Sequence, residues 1–372
     1  MTRGIYTFVL VGAIGAAISP AIAQNTPAAG QAANPAGQAG GGQAAGRGPA
    51  LPDIRGVVMP PTQVTGTGNY AHTVGDLDSA VAFYRDAIGF TVVTPAGEPK
   101  KDAALSKLYG TPGAKFRTAV LSMPKTPYNF ELMEITGADG KKMPALLEVD
   151  PGNSALNMTT PDLASMWPKI EQMGGKALSA EGKPRPQGTG SNIFTTDNQG
   201  CNVEIRQPGT PRDGGPIADN AWPTVLAATT TDSHTKVVFY RDVLGFSSMQ
   251  EGTPRLGNAG VFAMVGGHVI EGTDPSKVGF EQSQGNVPGT AVRFEFYQYW
   301  GATNTPFKPR VQDACATVWK LYVRDMDEMM GKIKDSSTPI VTEGGKSVTI
   351  DGAKHLVISD PDGLYIELIE KK

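Results

Sequence analysis

The octapeptide FYRDAIGF at residues 83–90 recurs as FYRDVLGF at residues 239–246, with six identical positions and a separation of 239 − 83 = 156. In both copies, apolar residues at helical spacing precede a glycine, which is typical of the last turn of a helix and its C′ position. Each octapeptide therefore predicts the end of a helix that packs on a core. The recurrence indicates that the chain duplicates a structural unit.

A second pair of motifs supports the duplication. The pattern Asp-hydrophobic followed by Met, Lys and Ile at residues 162–170 recurs at residues 325–333, with a separation of 325 − 162 = 163. The same separation joins the Asp, Gly and Glu of residues 197–204 to those of residues 360–367. The change from 156 to 163 indicates a net insertion of 163 − 156 = 7 residues in the second copy.

Each predicted unit, at residues 65–208 and 221–372, contains two shorter modules. A module opens with a short strand and a helix, and strands separated by turn signals follow. The sequence DPDG at residues 360–363 predicts a hairpin turn between the last two strands. The predicted fold class is α+β, with four β-α-β-β-β modules. Clear strand signals lie at residues 119–123, 129–135, 192–195, 202–205, 354–358 and 364–369.

The N-terminal residues predict an export signal followed by a tether. Arg3 precedes a mostly apolar stretch, and AIA at residues 21–23 is a small-x-small cleavage site. We therefore predict a signal peptide at residues 1–23 and an exported protein, periplasmic or secreted, without stable membrane insertion after its removal. An uncleaved anchor helix is the alternative. Residues 24–64, rich in Ala, Gly, Gln and Pro, predict a flexible tether, with folded structure beginning near Asn69.

Composition limits the partners and the cysteine chemistry. The chain of 372 residues carries 33 basic and 36 acidic side chains, a net charge of −3, so we expect no nucleic-acid partner. Two cysteines are too few for a disulfide-framework domain or a zinc site built mainly from thiolates. Cys201 and Cys315 either pair or are small buried hydrophobic residues. The second interpretation is favoured here, because the sequence gives no distance between them.

A short strand, a helix ending in F-Y-x-x-x-hydrophobic-G-F and a later D-P-D-G-x-x-x-E-L together resemble the vicinal oxygen chelate superfamily. That group includes glyoxalases, extradiol dioxygenases, and fosfomycin and bleomycin resistance proteins. The resemblance rests on Asp76-Leu77, the two octapeptides and residues 360–368, and it covers about residues 65–372. It implies two tandem units with curved sheets, in which two modules surround a pocket. It also implies a metal held by His or Gln from each first strand and Glu from each fourth strand, acting as a Lewis acid on two neighbouring substrate oxygens.

The ligand positions of the first unit lack both imidazoles. Carried over from the resemblance, these positions are Asn69, Glu131, Ala155 and Glu204. We expect Asn69, Glu131 and Glu204 to converge as the metal candidates, with Ala155 leaving room for a water or a ligand oxygen. Two carboxylates and an amide would suit Ca²⁺ or Mg²⁺ better than Zn²⁺. Alternatively, the glutamates are solvated strand residues, or they serve as a general base or ligand contact in a cation-free pocket.

The second unit departs further from the family pattern. Its corresponding positions are Val225, Glu271, Val318 and Glu367. Valine cannot ligate a metal, so we expect an apolar lining, with Glu367 paired or near the rim.

Neither nearby histidine is expected to replace a missing ligand. His72 has the opposite strand parity to Asn69, so it should face the helix layer as a packing residue. If the last hairpin is centred on residues 361–362, His355 points away from Glu367, and only a bulge would reverse this.

The resemblance and the missing imidazoles together predict an exported protein that binds a small organic ligand in a pocket with a degenerate metal site. No cofactor is expected, apart from a possible divalent cation in the first unit. Whether the chain is an enzyme stays open, because a metal-dependent lyase or dioxygenase with unusual ligands in the first unit is the alternative. A non-catalytic structural or interaction protein is the third hypothesis. The pocket candidates are Asn69, Glu131, Ala155, Glu204, Glu271 and Glu367.

Overall fold

The computed structural model has 18 strands and five short α-helices in its described residues. Residues 62–123, 126–142, 146–178, 181–187, 189–209, 224–257, 270 and 272–371 are described. The predicted signal peptide, most of the predicted tether and Glu271 lie outside them. The strands are β1 Val64–Thr73, β2 Thr91–Thr94, β3 Lys100–Lys101, β4 Lys115–Ser122, β5 Asn129–Thr136, β6 Ser154–Thr159, β7 Lys176–Ala177, β8 Arg185–Gln187, β9 Gly190–Thr196, β10 Asn202–Gln207, β11 Thr224–Thr229, β12 Arg255–Leu256, β13 Gly279–Asn286, β14 Arg293–Trp300, β15 Thr317–Val323, β16 Val348–Ile350, β17 Ala353–Ser359 and β18 Tyr365–Glu370.

Each of the five α-helices begins after an aspartate that caps it. The helices are α1 Leu77–Phe83, α2 Ala103–Leu108, α3 Leu163–Gln172, α4 Ser233–Val238 and α5 Met326–Asp335. Their caps, whose carboxylates accept a backbone N–H of the first turn, are Asp76, Asp102, Asp162, Asp232 and Asp325. No helix in the described part of the chain is long and apolar enough to cross a membrane.

The two octapeptides form equivalent helix ends, as predicted. A π-helical turn continues α1 over Tyr84–Ile88 and α4 over Phe239–Val243. In each copy the closing phenylalanine N–H donates to the tyrosine carbonyl at 2.9 Å. The tyrosine hydroxyls donate to a buried turn aspartate of the following module, Tyr84 to Asp197 at 2.8 Å and Tyr240 to Asp360 at 3.1 Å. The octapeptide and the later aspartate turn recur together because they bind each other.

The described strands pair into two nine-stranded sheets. Sheet A has the order β16-β17-β18-β15-β1-β5-β4-β2, with β3 on β4, and sheet B has the order β12-β13-β14-β11-β6-β10-β9-β7, with β8 on β9. The α+β class with two curved sheets is confirmed, and the six predicted strands correspond to β4, β5, β9, β10, β17 and β18. The first strand begins at Val64, before the start near Asn69 that the composition predicted.

The modules pair in a nested order. Sheet A joins the first module to the fourth, and sheet B joins the second to the third, because β1 pairs with β15 and β6 with β11. The prediction that the first and second modules together surround one metal site is wrong. Four similar modules offer similar strand edges, so their repetition carries no signal for which edges meet.

A disulfide connects the two sheets. Cys201, just before β10, is bonded to Cys315, just before β15, with their Cα atoms 5.1 Å apart. The favoured interpretation of two unpaired buried cysteines is therefore wrong. The two residues are 114 positions apart in sequence, and only the fold brings them within bonding reach.

His72 is a buried packing residue, as its strand parity predicted. Its side chain lies on the core face of β1, where its Nε2 is 2.9 Å from the Tyr70 hydroxyl and its ring packs edge-on to Phe130. Burial lowers the pKa of His72 from 6.5 to about 3, because the charged imidazolium would lose its hydration there.

The buried imidazole should make stability fall in acid. Between pH 6.5 and 3 the unfolded chain binds a proton at His72 that the folded protein does not, so stability rises with pH through this window. Relative to a His72→Gln variant, the wild type should lose about 2 kcal/mol of unfolding free energy between pH 7 and pH 5. Urea titrations of both proteins at both pH values measure this, and a difference independent of pH would contradict it.

Candidate functional site

Each of the four modules places a glutamate at the same point of its last strand. These residues are Glu131, Glu204, Glu295 and Glu367. The residues directly beside them on the first strands are, respectively, Ala71, Asn157, Ala227 and Lys320. Neighbours across a strand pair share a face, so each sheet has one face that carries two of these glutamates. We call it the site face.

Lys320 lies between the two glutamates of sheet A. Its Nζ is 2.8 and 3.0 Å from the carboxylate oxygens of Glu131 and 3.6 Å from Glu367. Asn69 Nδ2 also donates to Glu131, at 2.9 Å. Burial alone would lower the pKa of the Lys320 ammonium, but the two carboxylates hold that pKa well above its ordinary value. Sheet A therefore has a charged lysine at the centre of its site face.

Glu367 has two further partners. The Tyr109 hydroxyl donates to its Oε2 at 2.9 Å, and His355 Nδ1 lies 2.7 Å from its Oε1. The expectation that His355 points away from Glu367 is wrong, because the two strands of the hairpin pair one residue out of the predicted register. Val357 rather than Leu356 pairs with Glu367, which puts His355 on the same face.

The rest of the site face of sheet A is packed with apolar side chains. Tyr109 and Leu108, at the end of α2, form a buried cluster with Ala71, Val318 and Val357. The apolar lining expected around Val318 is present. This packing encloses the ionic cluster around Lys320.

The glutamates of sheet B are each bound by an arginine of their own strand. Arg206 donates to Glu204 in a bidentate manner, at 2.5 and 2.9 Å. Glu295 Oε2 accepts the Tyr297 hydroxyl at 2.7 Å, and its Oε1 lies 2.5 Å from Arg293 in an ion pair without hydrogen-bond geometry. Burial alone would lower the pKa of Arg206, but the charges of Glu204 and Glu295 raise it above its ordinary value.

Sheet B also holds a small cavity on its site face. The cavity has a volume of about 20 Å³, room for one water-sized group. Asn202 and Asn153 line it, and both are at most 4% exposed. Both side-chain polar atoms of Asn202 and the Oδ1 of Asn153 have no hydrogen-bond partner. Its further lining comes from Glu148, Ala155, Phe194, Ala227, Ala228, Thr229, Tyr297 and Tyr299.

Charged groups adjoin this cavity. Burial raises the pKa of Glu148 from 4.5 to about 7, so its carboxyl changes charge near neutral pH. The Arg185 guanidinium lies 5.9 Å from the centre of the Phe194 ring and is subject to the charges of Glu148 and Glu204. The sheet B cavity therefore combines unpaired amide groups, a titratable carboxyl and aromatic walls.

The predicted site residues are divided between the two sheets. Asn69 and Glu131 contact each other in sheet A, as expected. Glu204 does not join them, because it belongs to sheet B and is paired with Arg206. Ala155 lines the sheet B cavity beside Asn202. The predicted three-residue cluster is therefore wrong, since it assumed that the first two modules share a sheet.

The predicted first-strand positions come two residues before the residues that pair with the glutamates. The residues beside the glutamates are Ala71, Asn157, Ala227 and Lys320, whereas the pattern gave Asn69, Ala155, Val225 and Val318. This offset hid Lys320. In the third module Glu295 occupies the fourth-strand position that was given to Glu271. The signal for it was Phe294-Glu295-Phe296, which resembles Phe130-Glu131-Leu132.

Comparisons with known proteins agree with this architecture. Residues 67–205 match the family model of the Glyoxalase/Bleomycin resistance protein/Dioxygenase superfamily. This is the group also called the vicinal oxygen chelate (VOC) superfamily, and the match covers the first and second modules. No curated protein shows a significant sequence match.

Solved structures of glyoxalase I share the fold over most of this chain. Glyoxalase I from Zea mays is 18% identical, with a TM-score of 0.51, over 82% of this chain and 92% of that protein. One of its variants reaches a TM-score of 0.52 at 18% identity, covering 82% and 92%. A proposed dioxygenase from Bacillus subtilis is 9% identical, with a TM-score of 0.47, over 83% of this chain and 86% of its own. At these identities the likeness shows the fold alone.

The side chains of this chain do not fit the divalent metal that the matched superfamily implies. In the described part of the chain, no three His, Cys, Asp or Glu side chains are grouped to hold a metal ion. In sheet A, the point between Glu131 and Glu367 is taken by the Lys320 ammonium. A catalytic metal site needs about three protein ligands and an open position, and this arrangement offers neither.

Proposed function

We propose that this protein is an exported VOC-superfamily binding protein that holds the polar end of a small organic ligand in the sheet B cavity, beside a degenerate metal site. The observation that carries the proposal is the side chain of Asn202, which is 2% exposed and has no partner for its amide oxygen or nitrogen. A buried polar group without a partner costs about 1–3 kcal/mol. A ligand that pairs with the amide would recover that cost on binding.

The lining of the cavity limits the chemistry of the ligand. A carboxamide both donates and accepts hydrogen bonds, so Asn202 fits an uncharged group that does the same, such as an amide or a urea. Phe194, Tyr297 and Tyr299 supply flat apolar walls around that polar end of the ligand. The proposed ligand class is therefore a small planar compound with an amide-like end.

Export is part of the proposal. Disulfides persist mainly in oxidising compartments, and the bond between Cys201 and Cys315 suits the periplasm or the extracellular medium. N-terminal sequencing of protein recovered from such a compartment tests this, with Gln24 as the expected first residue.

Replacing Asn202 with leucine should separate stability from binding. Because the amide is unpaired, Asn202→Leu should raise the free energy of unfolding by about 1–3 kcal/mol while abolishing binding of amide fragments. Asn129 provides the matched control, since it stands two residues before Glu131 as Asn202 stands before Glu204. Asn129→Leu should leave fragment binding unchanged.

Ligand-observed NMR with acetamide, urea and benzamide measures binding, and urea denaturation measures stability. Binding that is equal in the wild type and Asn202→Leu, or a variant less stable than the wild type, would refute the sheet B site. The competing hypothesis of a metal-dependent lyase or dioxygenase is tested by metal analysis of the purified protein. One equivalent of Fe, Mn, Ni or Zn would favour it.

A further inference from the structure

In both sheets, side-chain cations lie against the two glutamates of the site face. In sheet A, Lys320 Nζ lies within 3.0 Å of both carboxylate oxygens of Glu131 and 3.6 Å from Glu367. In sheet B, Arg206 holds Glu204 at 2.5 Å, and Arg293 lies 2.5 Å from Glu295. The two cations come from different positions, Lys320 from a first strand and Arg206 from a last strand. Different residues therefore place a positive charge against the glutamates in each sheet.

We infer that Lys320 and Arg206 are resident cations that replace a divalent metal at the centre of the two sheets, so that neither site binds one in the native protein. This inference extends the degenerate metal site of the proposed function. It does not depend on the amide ligand of the sheet B cavity.

All four carboxylate oxygens of Glu131 and Glu367 in sheet A already have partners. Glu131 uses one oxygen for Lys320 alone and the other for both Lys320 and Asn69. Glu367 uses Oε1 for His355 and Oε2 for Tyr109. A metal ion would have to displace these donors and also approach the Lys320 ammonium, whose like charge would repel it.

The carboxylate oxygens of Glu204 and Glu295 in sheet B also lie against donors of the chain. Arg206 holds both oxygens of Glu204, while Tyr297 and Arg293 each approach one oxygen of Glu295. These donors are part of the chain, so the negative charge of each pair of glutamates is neutralised without an external ion. Buried carboxylates need a nearby cation or donor, and here the chain provides it.

Zinc titration tests the inference in sheet A. Because the place between the glutamates is taken by Lys320, a Lys320→His variant should gain a third ligand beside Glu131 and Glu367. Isothermal titration with ZnCl₂ should show at least about tenfold tighter binding than the wild type, and added Glu131→Gln should remove the gain. Lys354→His, a more exposed position on β17, is the matched control and should show no Glu131-dependent gain.

The wild type supplies the decisive second measurement, since it folds whatever becomes of the variant. Its zinc response should be the same with and without Glu131→Gln, and the same with and without Glu204→Gln. One equivalent of zinc lost on either substitution would overturn the inference, as would a folded Lys320→His variant without any gain. Amide-fragment binding by Lys320→His should match the wild type, so failure of the proposed ligand site would be seen separately.

Discussion

Replacing Lys320 with methionine should lower the free energy of unfolding by about 3–5 kcal/mol. Methionine fills a similar volume but leaves Glu131 and Glu367, 8% and 2% exposed, facing each other without a cation. Removing one partner of a buried ion pair is costly because the remaining charge keeps its desolvation penalty. Guanidinium denaturation, followed by tryptophan fluorescence, measures the loss.

A compensated variant separates charge from packing. Adding Glu131→Gln and Glu367→Gln to Lys320→Met should recover most of the lost stability, because no unpaired charge then remains. Lys354→Met, which removes an exposed ion pair with Asp327, should cost about 1 kcal/mol or less. If the triple variant were no more stable than Lys320→Met, packing rather than charge would explain the effect.

Loss of the disulfide should have a comparable effect. The bond closes a stretch of 114 residues, and a loop of this size should contribute about 2–5 kcal/mol, chiefly by restricting the unfolded chain. A variant carrying Cys201→Ala and Cys315→Ala should be destabilised by that amount. Thermal and urea unfolding under oxidising conditions give the measurement.

Reductant distinguishes the cross-link from the buried side chains. Dithiothreitol should destabilise the wild type to nearly the level of the double variant and leave the double variant unchanged. A thiol-reactive dye should label no cysteine in the unfolded, unreduced wild type, because both of its cysteines are bonded. Labelling of two thiols per chain would contradict the bond.

Local sequence determined the modules. The glycine within each octapeptide and the DPDG turn act over a few residues, so they predicted helix ends and a hairpin correctly. The pairing of modules depends on contacts between strands far apart in sequence, such as Ala71 beside Val318. No short-range pattern encodes that contact, and the cysteine pairing was missed for the same reason.

The sequence predicted the candidate site only where the alternation of side chains along one strand decides which face a residue occupies. The family pattern named Asn69 and Glu131, which contact each other, and strand parity placed His72 on the opposite face. It could not place Lys320 or Glu204, because their neighbours depend on which modules share a sheet. His355 was misplaced by a single step in the hairpin, since moving a strand by one residue reverses every side chain.

The nested pairing also orders the assembly of the chain. In sheet B the joining strands bring together Ala155 and Ala227, which are 227 − 155 = 72 residues apart. In sheet A they bring together Ala71 and Val318, which are 318 − 71 = 247 residues apart. Closing the longer loop costs more entropy, and contacts distant in sequence slow folding. Sheet B, which joins the second and third modules, can therefore form first. Until the fourth module has folded, the edge of β1 that later pairs with β15 is unpaired and can bind wrong strands.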